Sequence, residues 1–120
     1  MKKILIVIGI LIAINTLSFG IYFLYNNQVI NRSIQNNGEY VFLLHGLGRT
    51  SLSMQRLGVH LAEKGYRVVN VNYPSRSDSI ENLVEKSLKP ALEKNYTDKG
   101  RRINFVTHSM GGIIVRYYLA

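Results

Sequence analysis

Apolar and polar positions divide the chain into three stretches of different character. Residues 4–25 carry no charge and are dominated by Ile, Leu, Val and Phe. At about 1.5 Å per residue, a helix of that length matches the roughly 30 Å hydrocarbon core of a bilayer. The run is apolar nearly all round, which suits lipid and not the one-sided face of a small soluble core. Residues 26–38 (NNQVINRSIQNNG) are polar, rich in Asn and without sustained periodicity. They predict a juxtamembrane linker that lets the following domain stand off the bilayer.

From residue 39 onward, short apolar runs alternate with helical patterns. Tyr40 to Leu44 (YVFLL) is a continuous apolar run, as expected of a strand buried on both faces of a parallel sheet. Met54, Leu57, Leu61 and Ala62 fall near helical spacing over residues 54–64, and Gly65 supplies the stop. Residues 67–72 (RVVNVN) form a second strand, ended at Pro74, which cannot donate to a sheet. Asp78 is the expected N-cap of the next helix, with Glu81 in capping-box position. Its apolar stripe runs through Ile80, Leu83, Val84, Leu88, Ala91 and Leu92 to about Asn95, and Pro90 should bend or break it. Residues 95–101 read as a turn, 103–106 (INFV) as a third strand, and 112–120 as the start of another helix. This order implies an α/β domain, a parallel sheet with flanking helices and right-handed crossovers, preceded by a transmembrane helix. The expected domains are a basic terminus at 1–3, a membrane segment at 4–25, a linker at 26–38 and the α/β portion at 39–120.

Charge refines the amino-terminal segment. Lys2 and Lys3 precede the span and Arg32 follows it, which places the amino terminus inside and the domain outside the cytoplasm. A cleaved signal is the alternative, with Ser18-Phe19-Gly20 as its small-residue site and a secreted domain as its result. The apolar run resumes after that point, through Tyr22 and Tyr25, which suit an interfacial aromatic belt, so an uncleaved signal anchor is favoured. The formal net charge of +8 is otherwise scattered and broken up by acids, with no basic stripe or interleaved aromatics, so nucleic acid is not an expected partner. The chain has no cysteine, which excludes disulfides, thiolate metal sites and a cysteine nucleophile.

Two glycine-rich segments carry the chemistry, and both fall where parallel strands end, the usual ligand position in an open sheet. Thr107-His108-Ser109-Met110-Gly111-Gly112 joins the third strand to the last helix. A nucleophile elbow needs a serine on a sharp strand-to-helix turn with small residues around it, and Gly111 and Gly112 supply them. Thr107 stands where the usual G-x-S-x-G pattern has glycine, so the turn has to open slightly or accept strain. His45-Gly46-Leu47-Gly48 follows the first strand, in the place of an oxyanion loop. The two donors are then the backbone amides of Leu47 and Met110. His45 braces the loop, His108 points away from its neighbour Ser109, and His60 lies on a helix. None of the three is placed as the general base, and neither Asp78 nor Asp98 is a persuasive third triad member.

These segments, VFLLHGLGRTSLSM, VNVNYPSRSDSIENL and INFVTHSMGGIIVRYYL, together resemble the lipase and esterase branch of the α/β-hydrolase superfamily over residues 39–120. The resemblance implies carboxylic-ester hydrolysis through an acyl-enzyme on Ser109, an ester or lipid substrate, and no cofactor or metal. In that family the triad acid and histidine follow the serine, whereas eleven residues follow it here. The expectation is a partial α/β-hydrolase fold that has lost its base, or one half of a split hydrolase completed by a separately encoded carboxyl-terminal half.

Overall fold

A computed structural model describes all 120 residues, Met1–Ala120. Three parallel strands, β1 (Tyr40–Leu44), β2 (Arg67–Val71) and β3 (Ile103–Thr107), form one sheet in the order β2-β1-β3. The middle strand is buried along its whole length, which explains why its sequence is apolar without alternation. Its side chains nevertheless sort by parity. Tyr40, Phe42 and Leu44 pack into one core with Leu83, Leu88, Ile114 and Val115, while Val41 and Leu43 pack into a second with Ile30, Met54, Ala62 and Val68. The sheet is therefore covered on both faces by helices.

On the first face lie α3 (Ile80–Leu83), a π-helical turn at Val84–Leu88, α4 (Lys89–Asn95) and α5 (Met110–Leu119). The N-cap of α3 is Ser79, whose hydroxyl accepts from the Asn82 amide; Asp78, the expected cap, accepts instead from the Asn82 side chain at 2.7 Å. Pro90 does not end the helical path. The wider π turn precedes it and leaves proline in the first turn of α4, where its missing N–H costs no bond.

The opposite face carries α2 (Gln55–Glu63), entered by a 3-10 turn at Ser51–Met54, and the end of α1 (Lys2–Ser33). Here the expected linker at 26–38 is corrected. The helix that begins at Lys2 continues without a break to Ser33, and Asn26, Ile30 and Ser33 are buried against the domain. The stripe looked like a loop because two of its three members are polar, but their polar atoms are spoken for. Asn26 donates to the Gln55 side chain, and the Ser33 hydroxyl accepts from the Val68 amide at 2.9 Å. Gln55 in turn donates to the Phe23 carbonyl at 3.2 Å. Gly58 admits this contact, because a Cβ there would lie 2.9 Å from the Ile30 side chain. The remainder of α1 is exposed and apolar, and the helix is long and apolar enough to cross a membrane.

A docked helix and a flexible tether respond differently to truncation. Ile30→Ala should destabilise the domain by about 2–4 kcal/mol, whereas Ile12→Ala in the exposed stretch should leave it unchanged. Urea titration of the detergent-solubilised full chain, followed by near-ultraviolet circular dichroism, checks this.

Candidate active site

The register of the sheet brings three chain exits to one level, because Leu44 lies opposite Val71 on one side and opposite Thr107 on the other. The loop of residues 45–50, the loop of residues 72–77 and the turn at His108-Ser109 therefore leave the sheet side by side. The His108 amide still donates to the Leu44 carbonyl at 3.0 Å, so the ladder is held up to the residue before Ser109.

Ser109 has φ 51° and ψ −114°, and no other non-glycine residue has a positive φ. A side chain in that region costs on the order of 1–3 kcal/mol, and surrounding structure must enforce it. The enforcing contacts are close backbone approaches. Gly111 sits on β1, where a Cβ would fall 2.6 Å from the Leu44 carbonyl oxygen. The threonine that departs from the usual elbow pattern is accommodated by the second glycine, because a Cβ on Gly112 would lie 3.3 Å from the Thr107 hydroxyl. Ser109 itself is exposed at the mouth of the turn and at the N-terminus of α5. The Gly111 and Gly112 amides are committed to the carbonyls of His108 and Ser109, both at 3.0 Å, which leaves Met110 as the first-turn amide available to a ligand.

The facing loop is built to hold another amide free. Leu47 is exposed and its N–H donates to no acceptor in the chain, whereas the amides on its carboxyl side are used: Gly48 donates to the Ser75 hydroxyl at 2.8 Å and Arg49 to the Gly46 carbonyl at 3.1 Å. Gly48 has φ 68°, and Gly46 is small because the His108 ring lies against it, 2.6 Å from where a Cβ would stand. The expected oxyanion loop and elbow are thus in direct contact.

His45 is fully buried beneath this loop, stacked on Tyr73 with ring centroids 3.9 Å apart. Its Nδ1 lies 3.0 Å from the Gly46 carbonyl, which can only accept, and its Nε2 accepts from the Tyr73 amide at 3.4 Å. Both ring nitrogens are therefore engaged, with the proton on Nδ1, and His45 is a brace. His60 is on the exposed side of α2, and none of the three histidines hydrogen-bonds to Ser109. Asp98 is paired with Arg67 and Arg101 at the opposite end of the sheet, and Asp78 with Lys86.

The β2 exit contributes more than its proline suggested. Tyr73 donates its hydroxyl to the His45 carbonyl, Ser75 holds Gly48, and Arg76 lies across Gly48. A tyrosine one residue before a proline and a serine just after it are common loop residues, and no spacing rule links them to the oxyanion loop. No protein-family model, curated protein or solved structure matches the chain.

Two consequences are measurable. Ser109→Gly relieves the positive φ and should be about 1 kcal/mol more stable than Ser109→Ala, whereas Gly111→Ala should cost about 1–3 kcal/mol through its collision with β1. Thermal melts of the three variants test the pair. The second concerns pH. Burial pushes the Tyr73 phenol up to about 12 from its usual 10. The raised value means that the folded state keeps the proton longer than the unfolded chain, so this contribution is complete below pH 10 and is lost between pH 10 and 12. Its ceiling is about 3 kcal/mol, and Tyr73→Phe should remove that part of the alkaline loss in urea titrations from pH 9 to 12.

Proposed function

We propose that the chain carries the nucleophile and oxyanion portion of a serine hydrolase of the α/β type. More narrowly, it is a carboxylic-ester hydrolase of the lipase and esterase branch, anchored by α1 with its amino terminus in the cytoplasm and its domain outside. The observation that carries the proposal is the backbone of Ser109, a non-glycine residue at φ 51° between a parallel strand and a helix, with two glycines behind it. That conformation costs free energy for a serine where a glycine would be free of strain, and a reactive hydroxyl lifted out of a turn gives the cost a use.

In this reading the Ser109 Oγ attacks the ester carbonyl, the carbonyl oxygen becomes an oxyanion, and the Leu47 and Met110 amides donate to it. Collapse expels the alcohol and leaves an acyl group on Oγ, which water then removes as the carboxylic acid. The serine proton has to go to a base as the C–O bond forms. His45 is engaged on both nitrogens and neither His60 nor His108 hydrogen-bonds to Ser109, so the base is not among these residues. That arrangement favours the second reading, in which this chain is a non-catalytic piece or one half of a split hydrolase and a complementary segment brings the histidine and its acid.

Hydrolysis of p-nitrophenyl butyrate tests both readings. The chain alone should turn over slowly, since losing the triad base leaves only the contribution of binding and the oxyanion hole, about 10³–10⁴ over water in a triad enzyme. Added imidazole should raise the rate of the wild-type chain and not that of Ser109→Ala beyond imidazole's own hydrolysis. Rapid turnover without imidazole overturns the missing-base account, and a rate indifferent to Ser109 with or without imidazole overturns the nucleophile.

A further inference from the structure

Two cavities flank the loop of residues 45–50, and they differ in chemistry. One, of about 540 Å³, lies between that loop and the β2 exit and is lined by Arg49, Thr50, Arg76 and Ser77 among others, with no acidic residue. Neither arginine forms an ion pair: the acids of the chain that do so engage Arg67, Lys86, Lys89, Arg101 and Arg102. The Arg76 guanidinium turns its Nε–Nη2 edge toward Gly48, with Nη2 2.6 Å and Nε 2.7 Å from where a Cβ would stand. The second cavity, of about 420 Å³, is more apolar and runs from Met54 and Leu57 to Val106, Thr107 and His108, next to Ser109. Arg49 lines both.

Building on the hydrolase reading, we infer that the substrate is an anionic amphiphile, an acyl ester whose phosphate head occupies the basic cavity while its acyl chain lies in the apolar one. Two unpaired guanidinium forks with hydroxyls at hand suit the several acceptor oxygens of a phosphate, and each fork can make parallel charge-assisted bonds. The apolar wall of Met54, Leu57 and Val106 offers the chain a surface that the basic cavity lacks. Arg49 is common to both cavities, and Ser109, the residue after His108 in the wall of the apolar one, is the hydroxyl that the ester between head and chain has to reach.

Binding can be read apart from catalysis by titrating the full-length Ser109→Ala chain in dodecyl maltoside by calorimetry, with empty micelles as the blank. Dihexanoyl phosphatidate should bind saturably. Arg49→Gln and Arg76→Gln should each weaken it about tenfold, the loss expected for one charge-assisted contact. Arg76→Lys, which keeps the charge and spares the loop, should bind between wild type and Arg76→Gln. Dihexanoylglycerol should bind at least about tenfold more weakly and ignore both arginines. Inorganic phosphate should compete weakly, and Leu57→Asn should weaken phosphatidate while leaving phosphate unchanged. Equal binding of the neutral lipid, indifference to both arginine substitutions in chains that melt like wild type, or phosphate binding as tightly as phosphatidate each overturns the inference. Failure of Ser109-dependent hydrolysis would leave these affinities untouched, so the two readings fail separately.

Discussion

The molecule depends on one strand having neighbours on four sides. β1 pairs with β2 and with β3 in parallel, and its alternate side chains enter two separate cores. Parallel pairing in this register ends all three strands at one level, so loops that are distant in sequence leave the sheet together. The same strand supplies the Leu44 carbonyl, which accepts from the His108 amide and lies beneath Gly111. The strained serine is thus set on the best-buried part of the protein, the place where strain of a few kcal/mol is most easily sustained.

Glycines recur around the site for a geometric reason. Gly46 faces the His108 ring, Gly48 faces the Arg76 guanidinium, Gly111 faces Leu44 and Gly112 faces Thr107. Each marks a surface where two segments approach more closely than a Cβ allows. Together they make the loop of residues 45–50, the Ser109 turn and the β2 exit one interlocked body, and the His45–Tyr73 stack closes it from below. Preorganisation of this kind is what electrostatic stabilisation of an oxyanion requires, since donors that are already fixed do not have to reorganise as charge develops.

Much of the fold was legible because its signals are local. Apolar β-branched and aromatic runs marked the three strands to within a residue, and the expected helix at 54–64 matches α2 to within a residue at each end, with a 3-10 turn leading into it. The sharp turn at Ser109 and the loop at Leu47 were legible through glycines at strand ends. What sequence did not reveal depends on partners far along the chain. Asn26 and Ser33 read as linker residues until Gln55 and the Val68 amide are seen to satisfy them. Ser79 displaced Asp78 as the cap because Asn82 occupies the aspartate instead. Pro90 lost its helix-breaking effect to a π turn that no periodicity foretells. The roles of Tyr73, Ser75 and Arg76 likewise exist only once β2 lies beside β1.

The uninterrupted α1 changes how the membrane segment relates to the site. A flexible linker would let the exposed apolar part of α1 swing freely against the domain, but a continuous helix docked through Asn26, Ile30 and Ser33 fixes its direction. Gln55 is the hinge of that relation. Its side chain holds the Phe23 carbonyl within the apolar stretch of α1, and its neighbours Met54 and Leu57 line the apolar cavity beside Ser109. The acyl side of the proposed site is therefore tied, through one glutamine and one short helix, to the end of the exposed apolar portion of α1. Under the proposed anchoring and hydrolase reading, this geometry shortens the path from bilayer to Ser109 for an ester with a long apolar chain, through the same contacts that stabilise the second core.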